Sequence, residues 1–215
     1  MVKKKDLICF DLDGTLVDST KAHIKSYKTA ITKNNLTYPG DKKLLSLFGL
    51  GSVEIFQKLF PKVTPRKINK LVEDHLDAHE KSKDLIKILP GVEEALVRLK
   101  MHFRLGIVSN NYYEGIMEIL EYAGIPTKIF DVIIGADDAK PKPSPAEIFL
   151  AEKLTKADAK IMVGDTTFDM KAGKKAGCRT VGVLTGLHTM EQLMNGKADM
   201  LVSSVRILPD LLLNK

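Results

Sequence analysis

From about residue 86 to its end, the chain alternates compact apolar runs with amphipathic stretches, and no other feature restricts its fold as tightly. The run "FRLGIVS" at 103–109 precedes "YYEGIMEILEYAG", where Ile116, Ile119, Leu120 and Ala123 recur at helical spacing. "FDVIIGA" follows, then a helix starting near Pro145 that carries Ile148, Phe149, Ala151 and Leu154. "KIMVGD" reads as a strand, "DMKAGKKAG" as a helix closed by Gly177, and "TVGVLT" and "ADMLVSS" as further strands. Strands alternating with helices through short connections imply an α/β fold: a parallel sheet with helices on both faces.

Residues 6–11 supply one more strand of this kind, but the stretch after them breaks the alternation. "KAHIKSYKTAITKNN", "SVEIFQKLF" and "TPRKINKLVEDHLDAHEKSK" all carry helical periodicity, and Thr64 with Pro65 is a cap followed by a first-turn proline. The reading is a core of residues 1–17 plus 87–215, interrupted by an inserted helical cap at 18–86. The insertion leaves from the carboxyl end of a strand, where open α/β sheets bind their ligands.

The formal charge of +6 raises the question of an anionic partner. The basic residues are scattered and no aromatic platform interleaves with them, so a nucleic-acid partner is not expected. A small anionic substrate fits better. No stretch approaches the ~18 uncharged apolar residues of a membrane span, and the apolar run after "MVKKK" is too short for a signal peptide. Two cysteines without a C-x-x-C spacing, Cys9 and Cys178, read as reduced structural thiols of a cytoplasmic protein. Nothing in the pattern specifies an oligomeric state.

The chemistry starts at "CFDLDGTLVDST". Asp11 and Asp13 end an apolar strand, and side chains two apart on an extended chain point the same way. Carboxylates at the rim of a core cost desolvation free energy unless a cation offsets them. An EF-hand loop would need glycine and an acid where Leu16 and Ala22 stand. Gly14 allows a sharp turn instead, and Thr15 offers a hydroxyl. A second acidic strand end, "MVGDTTFD", adds Asp165 and, four residues on, Asp169. Either could simply cap the following helix, but two acidic strand ends on one sheet edge point to a hard cation with oxygen ligands, which suits Mg²⁺.

Protein cations come from "AKPKPSP", where Lys140 and Lys142 both precede a P-x-P and either could enter the site. Ser109 and Asn110 end the "GIVSNN" strand as hydrogen-bond donors at the same rim. His75 and His79 lie four apart on a cap helix without the glutamate of a zinc protease, and read as a solvated face. "FGLGSVEIF" lacks the third glycine of a dinucleotide loop, and Gly49 and Gly51 read as a cap loop. No G-x-S-x-G is present, which argues against an esterase.

Together, "DLDGTLVDS", "VSNN", "KPKPSPAEIF" and "VGDTTFDMKAGKKAG" resemble the haloacid dehalogenase-like hydrolase superfamily, within it the phosphoglycolate phosphatase and β-phosphoglucomutase group. The resemblance covers almost the whole chain and implies a Rossmann-like parallel-sheet core with a helical cap inserted after the first motif. It implies a Mg²⁺-dependent phosphatase acting on a small phosphorylated metabolite, first phosphoglycolate, through an aspartyl-phosphate. Asp11 would be the nucleophile and Asp13 the general acid and base. Mg²⁺ would be held by Asp11, the backbone carbonyl of Asp13, and Asp165. Thr15 would position Asp13 or the phosphate loop, while Ser109 and the Asn110 backbone would bind phosphoryl oxygens. Lys142 matches the motif lysine better than Lys140, and Asp169 would orient that lysine or a metal-bound water. His23 is a candidate substrate contact, because the mutase branch uses a histidine in this neighbourhood. A pyrophosphatase or a β-phosphoglucomutase-like phosphotransferase shares all four motifs, and a non-catalytic phosphate-binding module is the alternative from another class. The dehalogenase branch lacks the second acid that this chain has in Asp13.

Overall fold

The computed structural model describes residues 5–213. Strand β1 (Leu7–Phe10) is central, and the chain then forms β2 (Val17–Asp18), α1 (Thr20–Lys33), α2 (Asp41–Leu45), α3 (Ser52–Leu59), α4 (Pro65–Glu80) and β3 (Lys87–Ile88). The alternating part follows: α5 (Val92–Lys100), β4 (Arg104–Val108), α6 (Tyr113–Tyr122), β5 (Val132–Ile134), α7 (Ala146–Thr155), β6 (Ala159–Gly164), α8 (Thr167–Lys175), β7 (Arg179–Val183), α9 (Met190–Asn195), β8 (Met200–Val202) and α10 (Leu208–Leu213). Six strands pair in parallel in the order β5-β4-β1-β6-β7-β8. The chain grows from β1 first toward β4 and β5, then toward β6 and beyond. The carboxyl end of β1 therefore lies at the switch point where such sheets form a crevice.

The two-residue period of β1 divides the core. Ile8 and Phe10 join Ile107, Val163, Leu96 and Leu120 on one face, while Leu7 and Cys9 join Val108, Met162, Ile148 and Ala172 on the other. All four β1 side chains are fully buried, as expected of a strand covered on both sides. Cys9 and Cys178 are both free and buried on the second face. Burial pushes the Cys178 thiol up to about 11, as befits a packed rather than reactive sulfur.

Helices α1 to α4 have a separate apolar cluster, built on Tyr27, Ile31, Leu44, Phe56, Ile68 and Leu71. Thr64 caps α4 by accepting from the Lys67 N–H, with Pro65 at its first position. The short antiparallel pair β2–β3, which the sequence pattern does not reveal, brings the two ends of this helical segment together. His75 and His79 depart from the solvated face expected of them. Both are buried, with His75 stacked on Tyr27 at 3.9 Å between ring centroids and His79 on His23 at 4.5 Å. Their side of α4 packs on α1, and burial lowers both imidazoles, His79 to about 3, so they pack as neutral rings.

Candidate active site

Asp11 is the first residue beyond β1, and its N–H still donates to the Val163 carbonyl of β6, so the sheet itself sets its position. Gly14 then turns the chain at φ +71°, where a Cβ would stand 2.6 Å from Asp165 Oδ2. Only glycine meets both demands. The Asp165 carboxylate follows β6 and is held from behind: the Leu187 N–H donates to its Oδ2 at 2.9 Å. The Thr15 hydroxyl lies 3.5 Å from its Oδ1. Thr15 is fully buried, with its hydroxyl turned to Asp165.

The structure distinguishes the two candidate lysines. Lys140 is exposed, whereas Lys142 is buried with its Nζ 2.8 Å from Asp11 Oδ1 and 2.7 Å from Asp169 Oδ1, and it also donates to the Val108 carbonyl. Asp169 plays two parts. Its other oxygen accepts from the Thr166 N–H and hydroxyl, closing the N-terminal capping box of α8. Capping and chemistry, alternatives in the sequence, coincide here.

Asp13, two residues from Asp11, lines the same cavity but has partners of its own. Its carboxylate accepts from Ser19 and from the Asn111 amide, and lies 3.2 Å from His23 Nε2. Burial alone would raise this carboxyl, but the bonds from His23 and Ser19 hold it below the usual carboxylate range. The Asn111 contact has no signal in the sequence beyond its place next to Asn110. The Asn110 side chain acts as a clasp: its amide donates to the Gly49 carbonyl of the helical segment at 2.6 Å and to the Lys142 carbonyl at 2.9 Å. Its oxygen accepts from the Lys142 N–H. The loop at 185–187 was equally hidden, since it acts through Thr185 on the Gly14 carbonyl and through Leu187 on Asp165.

One lysine among three buried acids leaves the cluster short of positive charge. Burial, with the Asp169 charge behind it, raises the Asp11 carboxyl to about 7 against the pull of Lys142. Asp165 is raised well above the ordinary range, by burial and then by Asp11 and Asp169. Oxygens of Asp11, Asp165 and Asp169 lie within 4.8 Å of one another. Hard oxygen donors, uncompensated charge and close approach together fit a divalent cation such as Mg²⁺. Since Asp169 is bound by Lys142 and Thr166, Asp11 and Asp165 are the acids with capacity to spare.

Above them is a cavity walled on one side by Asp11, Asp13, Ser109 and Lys142 and on the other by residues of the helical segment, including His23, Phe48 and Leu50. A buried lysine–carboxylate cluster at the switch point of a parallel sheet, with helices over it, is an arrangement suited to a metal ion and an anionic group. Residues 8–183 match the family model for haloacid dehalogenase-like hydrolases, and the chain belongs to that family. It is 32% identical over 209 residues to the Dickeya dadantii protein named "Probable phosphatase IndB", covering 93% of this chain and 90% of that one. It is 30% identical to the Listeria welshimeri pyrophosphatase PpaX (95% of each chain) and 29% to the Escherichia coli phosphoglycolate phosphatase (95% of this chain, 91% of that one). A solved hydrolase from Pseudomonas syringae superposes with TM-score 0.85 at 25% identity, covering 96% of this chain and 97% of that one. The chain is therefore a phosphatase of this family. No described helix is long and apolar enough to cross a membrane.

Proposed function

We propose that the protein is a Mg²⁺-dependent phosphatase that hydrolyses a small phosphate monoester through an aspartyl-phosphate on Asp11, with residues 18–86 as the cap over the site. The observation that carries this reading is the buried contact of Lys142 with Asp11 at 2.8 Å, while Asp13, on the same cavity wall, keeps a separate set of partners. A carboxylate nucleophile repels a phosphate dianion, so the reaction needs fixed positive charge around the transferring group. Lys142 supplies part of it, held in place by Asp169 and the Val108 carbonyl. Asp11, Asp165 and the Asp13 carbonyl would hold Mg²⁺, which when bound neutralises phosphoryl oxygen charge.

Asp13 takes up a proton as the phosphate charge arrives beside it and raises its carboxyl. Asp11 then attacks phosphorus, the bond from phosphorus to the ester oxygen breaks, and the departing oxygen takes that proton. Asp13, now a carboxylate, accepts a proton from water as that water attacks phosphorus, freeing phosphate and restoring Asp11. Ser19, His23 and Asn111 keep the Asp13 carboxylate aimed into the cavity. The Ser109 hydroxyl and the Asn110 N–H bind phosphoryl oxygens from the β4 rim. The test is phosphate release in Mg²⁺ and in EDTA, for the wild type and for Asp11→Asn. Turnover that needs Mg²⁺ and falls at least ~10³-fold in Asp11→Asn is expected; equal activity in the variant would overturn the mechanism.

A further inference from the structure

The leaving-group half of the cavity has a distinctive charge inventory. Its walls are Thr20, Tyr27, Phe48, Leu50 and Ile55 with the Gly49 backbone, all uncharged. Among the described residues the cavity is lined by two groups that can carry positive charge, Lys142 and His23, and both are committed. Lys142 is bound by Asp11 and Asp169, and His23 by Asp13. Negative groups are plentiful, with Asp11, Asp13 and Asp165 on the same walls. The roof is in place in this structure, since Asn110 of the core already donates to the Gly49 carbonyl and holds the 48–50 loop against the site.

We propose that the substrate of this phosphatase is a monoester whose leaving group is uncharged and turns an apolar or aromatic face to the cap: a neutral alcohol or polyol phosphate. The inference rests on the phosphatase reading and deepens it. A second anionic group on the substrate would enter a cavity that offers it no free cation and faces it with carboxylates. Its desolvation would go uncompensated, which is how a site rejects a competitor of similar size. The argument applies equally to the carboxylate of phosphoglycolate, the leaving phosphate of pyrophosphate and the second phosphate that a sugar-phosphate mutase must hold. A neutral leaving group loses nothing there: its carbon face lies on Phe48, Leu50 and Ile55, and Thr20 offers a hydroxyl for one of its own.

The experiment compares 2-hydroxyethyl phosphate with 2-phosphoglycolate, a pair that differs only in CH₂OH against COO⁻. Pyrophosphate and phenyl phosphate complete the panel, all with saturating Mg²⁺, and acetyl phosphate reports on the chemical machinery itself. The expected kcat/KM is at least about tenfold higher for 2-hydroxyethyl and phenyl phosphate than for 2-phosphoglycolate or pyrophosphate. Leu50→Arg, at a half-buried position of the cavity wall, places a guanidinium in the leaving-group half and should move the ratio at least about tenfold toward 2-phosphoglycolate. Leu50→Gln, similar in reach but uncharged, should not. If wild-type protein prefers 2-phosphoglycolate or pyrophosphate, the inference is overturned while the phosphatase reading stands. If acetyl phosphate and every ester are left intact by folded protein, the phosphatase reading falls and this inference with it. The wild-type ratio decides the matter even if Leu50→Arg does not fold.

Discussion

Buried acids in this molecule are treated in two opposite ways. Asp74, on α4, is almost wholly enclosed, yet Lys33 donates to one oxygen at 2.6 Å, the Asn34 amide to the other at 2.7 Å, and Lys70 lies 3.3 Å away. Burial would raise its carboxyl, but these partners outweigh it and hold the group at about 2. Asp11 and Asp165 lie deeper in the molecule, and both are raised, first by burial and then because one lysine serves three acids. The Asp74 site is complete within the chain and ties α1 to α4. The site at the β1 and β6 rims is left incomplete, which is the condition for recruiting a cation and a phosphate. Stability and function are separated by how fully a buried charge is compensated.

The comparison can be broken at several points. The largest effect is expected from Gly186→Ala, whose Cβ would stand 1.8 Å from Asp165 Oδ2. It should push that carboxylate out of line and lower kcat/KM about 100-fold with little loss of fold, as read by steady-state kinetics beside circular dichroism. Asp74→Ala should do the reverse. It should lower unfolding free energy by about 2 kcal/mol in urea titration, because Asn34 loses a buried partner, and leave kcat within a factor of about 2. A variant that lost activity but not stability would remove the distinction.

The acid limb of the stability curve provides a smaller test. The folded pKa of Asp74, about 2, lies below its unfolded value. Its contribution is therefore complete above about pH 4 and is lost as pH falls through about 2. The stability difference between wild type and Asp74→Asn should shrink steadily across that window and stay flat between pH 5 and 7. The smallest effect concerns Asp11→Asn without metal. Removing an under-compensated carboxylate while Lys142 keeps Asp169 should raise stability by about 1 kcal/mol, read as a higher urea midpoint in EDTA. A lower midpoint would mean that Lys142 alone satisfies the cluster.

Much of the site was legible because its residues sit in short linear patterns. Asp11 and Asp13 at one strand end, Asp165 and Asp169 at another, and a lysine in a proline-stiffened approach need only local periodicity to be placed on one sheet edge. What was not legible depends on contacts between distant segments. Asn111 to Asp13, Asn110 to Gly49 and Leu187 to Asp165 each join parts of the chain that no window contains. His75 and His79 were misplaced for a related reason. Polar residues four apart mark a solvated face unless a neighbouring helix covers them, and that neighbour is α1, more than forty residues earlier in the chain.

By itself, the sequence determined the alternation of strands and helices and the chemical types gathered at the carboxyl edge, because these follow from side-chain period and turn chemistry along the backbone. The tertiary structure alone decided which lysine is buried and which partners Asp11 and Asp13 each take. Those outcomes are set by distance and burial in space, where desolvation and pairing compete within a few ångströms, and neither quantity is written in local spacing.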